Sequence, residues 1–117
     1  MKYVPFTKFT KAEMENALIE DDVEKLIYVP LFASLYYEDR DFAEEICIKL
    51  AGHINNSVRA AAIEGFEHIA RIDGNLNEEI IKPIIQKALT DENEVVHDRA
   101  DWTKEATKQF LKWKYKK

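Results

Sequence analysis

A chain of 117 residues is long enough to bury one hydrophobic core without staples, and its 46% apolar and 33% charged residues exclude a disordered or collagen-like chain. Three Gly and three Pro argue against a turn-rich β-sandwich, and the single Cys47 excludes an internal disulfide framework or a CxxC metal knuckle. The net charge of −5 is unevenly spread: residues 1–103 carry 11 Lys/Arg against 21 Asp/Glu and residues 104–117 six against one, an acidic body that repels phosphate backbones and a short basic tail.

A single domain over 1–117 is expected, with 1–9 as an N-terminal extension. The opening MKYVPFTKFT lacks the apolar run and cleavage site of a signal peptide, and no segment approaches the length of a membrane span, so a soluble cytoplasmic protein is expected. From Thr10 onward the pattern is helical. Thr10 with Glu13 reads as a capping box, and Met14, Ala17 and Leu18 form a short stripe ending near Asp21 and Asp22. Val23, Leu26, Ile27, Pro30, Leu31, Ser34 and Leu35 continue at helical spacing to about Tyr37, with Pro30 imposing a kink or break. A third helix is expected from an Asp41 cap with Glu44 at the capping-box position, burying Phe42, Ile46, Cys47 and Leu50.

Ser57 is expected to cap the fourth helix, with Val58, Ala61, Ala62, Phe66, Ile69 and Ile72 on one face and Arg59, Glu64, Glu67 and Arg71 on the other. Gly65 falls on the buried side, where the missing Cβ lets a neighbouring helix approach. After an Asp73-Gly74-Asn75 turn, the fifth helix runs from about Asn77 to Leu89. Ile80, Ile81, Ile84, Ile85, Ala88 and Leu89 nearly encircle it and Pro83 lies inside, which predicts a middle layer buried on two sides. The sixth runs from Val95 to about Trp113 with Val95, Trp102, Ala106, Phe110 and Trp113 turned inward.

Superposing 46–62 on 84–100 at a shift of 38 pairs Ile46 with Ile84, Asn55 with Asn93, Val58 with Val96, Arg59 with His97 and Ala62 with Ala100. A proline in the first helix (Pro83), an Asp or Asn turn, then Val58-Arg59 with Ala62 resembles a HEAT repeat. The resemblance covers 41–105 and is weaker before it. It implies an all-α fold of three antiparallel helix pairs (10–37, 41–72 and 76–115) stacked as a compact HEAT-like α-α superhelix. It also implies that Arg59 links to acidic turn residues of the adjoining repeat. His97, where the pattern expects arginine, reads as a relaxation at the end of the stack.

Sequence support for catalysis is thin. Glu64 with His68 and His97 with Asp101 each supply two ligands where a metal site needs three or four, and His97-Asp98 lacks the downstream Asp of the HD phosphohydrolases. Cys47 has no basic neighbour to stabilise a thiolate, and there is no phosphate loop or GxSxG elbow. Asp101-Trp102 resembles the acid and aromatic of HEAT-like DNA glycosylases, which are larger and basic. KQFLKWKYKK at the C-terminus could contact nucleic acid or membrane, although lysines there also complement the helix dipole. No catalytic residue, metal or cofactor is expected.

Recognition residues remain. Glu38, Asp39, Asp41, Glu44 and Glu45 crowd one helix start, and Asp98, Asp101 and Glu105 line the sixth helix. Ile63, with Ala60 and Ala70, falls on the face bearing Glu64 and Glu67 and is the expected hot spot. Small acidic all-α proteins of this kind resemble bacterial immunity proteins, which neutralise a cognate toxin by occluding its active site. That resemblance implies a basic protein partner such as a toxin nuclease domain, neither nucleic acid nor membrane, a monomer or weak dimer, and Tyr36 or Tyr37 as further anchors. The other expectation is an adaptor or regulatory subunit of a larger complex.

Overall fold

The computed structural model describes residues 9–36 and 39–115, with the side chain of Tyr36 also outside the description. Among the described residues the chain is all-helical, with seven helices: α1 Lys11–Glu20, α2 Val23–Leu26, α3 Val29–Tyr36, α4 Arg40–Leu50, α5 Asn56–Asp73, α6 Glu78–Ala88 and α7 Glu94–Leu111. No helix among them is long and apolar enough to cross a membrane.

Caps set most boundaries. Thr10 and Glu13 close the expected capping box on α1 (3.1 and 2.8 Å), and Asp21 ends the helix in the left-handed region at φ 52°. The expected single helix over 23–37 is two pieces, because the chain turns at Ile27 and Tyr28. Pro30 consequently sits in the first turn of α3, where its missing N–H costs no helical bond. The cap of α4 is Asp39, whose carboxylate accepts from Phe42 N at 3.0 Å, and not Asp41. Asn55, not Ser57, caps α5: its side-chain oxygen accepts from both Ser57 N (2.9 Å) and Val58 N (3.2 Å).

The repeat at a shift of 38 is visible in these caps. Asn93 caps α7 by accepting from Val95 N and Val96 N at 3.0 and 3.1 Å, and its φ and ψ of −79° and 123° match the −78° and 126° of Asn55. Two residues upstream of each cap, His53 Nδ1 and Asp91 Oδ1 each accept the cap's own N–H at 2.9 Å. Two chemically different side chains thus perform one structural task, satisfying an N–H that the turn leaves without a backbone partner.

The middle of the core is α5, and the expectation that α6 fills this place is corrected. Val58, Ala62, Gly65, Phe66 and Ile69 are buried, Gly65 against Pro30, Ser34 and Cys47 of α3 and α4, and Ala60, Ile63 and Ala70 are buried as well, the Ile63 carbonyl accepting from Thr103 of α7. A Cβ on Gly65 would meet Cys47 Sγ at 2.5 Å and Pro30 Cβ at 3.3 Å, so glycine is what lets α3 and α4 close on α5. Helix α6 buries only Ile81, Ile85 and Ala88 and leaves Ile80 and Pro83 exposed. Isoleucines all around it are therefore those of a flank helix with one wet side.

Candidate protein-interaction surface

Helix α7 lies beside α5 with its start and middle tied to it. Arg59 reaches from the first turn of α5 to Asp91 just before α7 (Nε–Oδ2 3.0 Å, Nη2–Oδ1 3.2 Å), and Thr103 Oγ1 donates to the Ile63 carbonyl at 3.1 Å. Arg59 also donates to the carbonyls of His53 and Ile54 at 3.0 Å, so one guanidinium satisfies a whole turn. The Arg59 hydrogen bond, with Asn93 N–H beside it, holds the Asp91 carboxyl below its ordinary range. His97, the register equivalent of Arg59, is half exposed beside Asp98 (3.5 Å).

The buried stripe of α7 is Val96, Ala100, Thr103, Ala106 and Thr107, so the expected inward placement of Val95, Trp102 and Phe110 is corrected: they are 50%, 69% and 41% exposed. Small side chains on this seam let α7 approach α5 closely. The hydroxyls that a hydrophobicity pattern reads as outward are satisfied inside, Thr103 on Ile63 and Thr107 on the Lys104 carbonyl at 2.8 Å and on the Tyr115 hydroxyl at 2.7 Å. Trp113 is buried as expected, and the chain after Lys112 (φ 62°) folds back to place Tyr115 under the Lys82 and Lys104 ammonium groups. These tail aromatics are committed to packing, and burial raises the Tyr115 hydroxyl pKa.

Shifted by 38, the α5 positions that receive α7, Ala60, Ile63, Glu67 and Ala70, become Asp98, Asp101, Glu105 and Lys108 on α7. Where α5 presents apolar atoms to a neighbour, α7 presents charge to solvent.

Trp102 sits at the edge of this stripe. Arg99, one turn before it, lies over the ring at 5.7 Å and is anchored by Glu64 of α5 at 2.9 Å. Helical geometry of 100° per residue puts Arg99 about 60° to one side of Trp102 and Asp98 and Glu105 about 40–60° to the other. Asp98 and Glu105 are mostly exposed, spanned loosely by His97 (3.5 Å) and Lys108 (3.5 Å). The indole, unlike the expected anchor, is available to a partner.

The other candidates fare differently. Ile63 is fully buried under α7 and is a core residue; the expectation that it is a hot spot is corrected, because a helix with neighbours on two sides has two apolar faces. Glu64 braces Arg99, and Glu67 is engaged by Arg71 at 3.0 Å and His68 at 3.3 Å. At the start of α4, Asp39 is a cap, Asp41 pairs with Arg40 at 2.7 Å, and Glu44 is drawn inward to Arg40 (3.0 Å) and Asn77 N (2.9 Å). Glu45 is exposed and lines a groove with Phe42, whereas Glu38 and Tyr37 lie outside the described residues. Helix geometry and ion pairing thus absorb most of that first cluster.

Among the described residues no group of three or more His, Cys, Asp or Glu side chains is placed to hold a metal. Cys47 is fully buried, which pushes its thiol up to about 12 and keeps it protonated. A cleft of about 570 Å³ between the end of α4 and α6 has Ile48, Ile84 and Lys87 in its walls, together with the Arg59–Asp91 ion pair, which is already neutralised internally. Compared with protein-family models, curated proteins and solved structures, the chain matches none of them.

Proposed function

We propose that the chain is a non-catalytic protein-binding module, built as three antiparallel helix pairs in a compact HEAT-like stack, that recognises a basic protein through the outer face of α7. The observation that carries this reading is Trp102, a large aromatic left 69% exposed beside Asp98, Asp101 and Glu105. Aromatic anchors within a charged rim are the residues that dominate binding energy when desolvated, and carboxylates around them steer a basic partner into encounter. The Arg59–Asp91 link between successive turns, with matching Asn55 and Asn93 caps, supports the HEAT-like assignment.

The partner of best fit is a bacterial toxin, specifically a basic nuclease domain whose substrate-binding lysines and arginines would meet this face in the cytoplasm, making the chain an immunity protein. Affinity capture from the native host, followed by a nuclease assay, tests it. A captured basic nuclease should lose activity on adding the chain and regain much of it when Trp102→Ala is used instead. Stoichiometric co-purification with a housekeeping assembly, without nuclease inhibition, selects the adaptor reading instead.

A further inference from the structure

We infer that the uncovered face of Trp102 is a seat for a single cationic side chain, an arginine or lysine of the partner, held between the indole and the carboxylates of Asp98 and Glu105. This deepens the proposed function and rests on the reading that the partner is basic. The molecule itself displays the mode of binding: the Arg99 guanidinium lies 5.7 Å from the ring centroid and is held there by Glu64, so a stacked cation steadied by a carboxylate already occupies one side. The opposite side also offers carboxylates, and the cation there, Lys108, is held only loosely by Glu105 at 3.5 Å. By helical spacing Asp98 at i−4 and Glu105 at i+3 fall on that side of Trp102, and Asp101 makes no ion pair among the described residues.

Two internal features make this a prepared site rather than a chance cluster. Arg99 restrains the indole from one side, which lowers the entropy a partner must remove to use it. The neighbours of the free face, His97 and Lys108, are held at 3.5 Å and about half exposed, so an incoming guanidinium can displace them with little loss of desolvated contact. Arginine fits better than lysine, since its planar head can stack and bind a carboxylate fork at once.

Titrating the full chain with a synthetic octa-arginine peptide at low ionic strength tests the site, read by tryptophan emission and by calorimetry. Trp113 is buried, so Trp102 should dominate a saturable emission change. Binding should weaken about tenfold in Trp102→Ala, remain within about threefold in Trp102→Phe, and weaken at least about tenfold in the double variant Asp98→Asn, Glu105→Gln. Octa-lysine should bind more weakly than octa-arginine. Equal affinity of wild type and Trp102→Ala, or no binding at all, overturns the seat. A host partner that binds wild type and Trp102→Ala alike would leave the protein-binding function standing and remove only this mode of contact.

Discussion

Arg59 and Asp91 meet in a two-pronged ion pair, both side chains about four-fifths buried, that ties the turn before α5 to the turn before α7. Each partner also bonds backbone: Arg59 holds the His53 and Ile54 carbonyls and Asp91 holds Asn93 N–H. On the preceding turn His53 plays the same part with Asp21, at 2.6 Å. Since His53 Nδ1 accepts from Asn55 N–H, the ring proton sits on Nε2 and is donated to Asp21.

Asp91→Asn should destabilise the fold by about 2 kcal/mol at neutral pH, since it weakens a charge-assisted pair and leaves Arg59 underpaired. The folded-state pKa of Asp91 lies below its ordinary 3.8, so its contribution is complete above that value and is lost as pH falls through the folded pKa. The gap between wild type and Asp91→Asn in urea unfolding should therefore narrow progressively below about pH 4. A gap that widened in acid would reverse the sign of this linkage.

Gly65→Ala should cost about 2–3 kcal/mol, because its methyl would enter the space of Cys47 Sγ, and α3 and α4 would have to part from α5. Cys47→Ala frees that space. The double variant should consequently be more stable than the sum of the two single losses, a coupling that a denaturant double-mutant cycle measures directly.

Ile63→Ala and Trp102→Ala should behave in opposite ways. Ile63→Ala empties a fully buried site under α7 and should lose about 2–4 kcal/mol of stability. Trp102→Ala should shift stability by no more than about 0.5 kcal/mol, apart from the Arg99 stacking, while abolishing capture of a partner. Calorimetric melting of the two variants checks the assignment of one residue to the core and the other to the surface.

Replacing the end-face charges with what α5 carries at the equivalent positions, as Asp98→Ala, Asp101→Ile and Lys108→Ala, should expose an apolar stripe and produce concentration-dependent self-association in sedimentation velocity. A triple variant that sediments like wild type would show that these charges do not close the stack.

Much of the architecture is legible in the sequence. Thr10-x-x-Glu13, the Asp73-Gly74 turn and the tight approach at Gly65 follow from the residues themselves, whereas the link from Arg59 to an acidic turn is implied only by the resemblance to HEAT repeats. Which face of α7 turned inward did not follow in this way, because size and hydrophobicity favoured Val95, Trp102 and Phe110 over a seam of Ala and Thr. Two threonine hydroxyls on that seam find acceptors only in the folded state. The register itself contained the answer: shifting Trp102 by 38 gives Glu64, a surface position, and shifting Ala100 gives the buried Ala62. Likewise, Ile63 read as exposed because a second apolar face on α5 has no meaning until α7 is laid across it. The acids at the start of α4 looked like a surface and are largely caps and ion pairs, a distinction that needs Arg40, Phe42 N and Asn77 N in place.

The most direct test of a basic partner recognised through α7 is the association rate of the captured partner with wild type and with the charge reversal Asp98→Lys, Asp101→Lys, Glu105→Lys, measured at two ionic strengths. Electrostatic steering predicts that wild type associates faster at low salt and that the reversal slows association by about tenfold or more while flattening or inverting its salt dependence. Identical rates and identical salt dependence for the two proteins would contradict the assignment of this face.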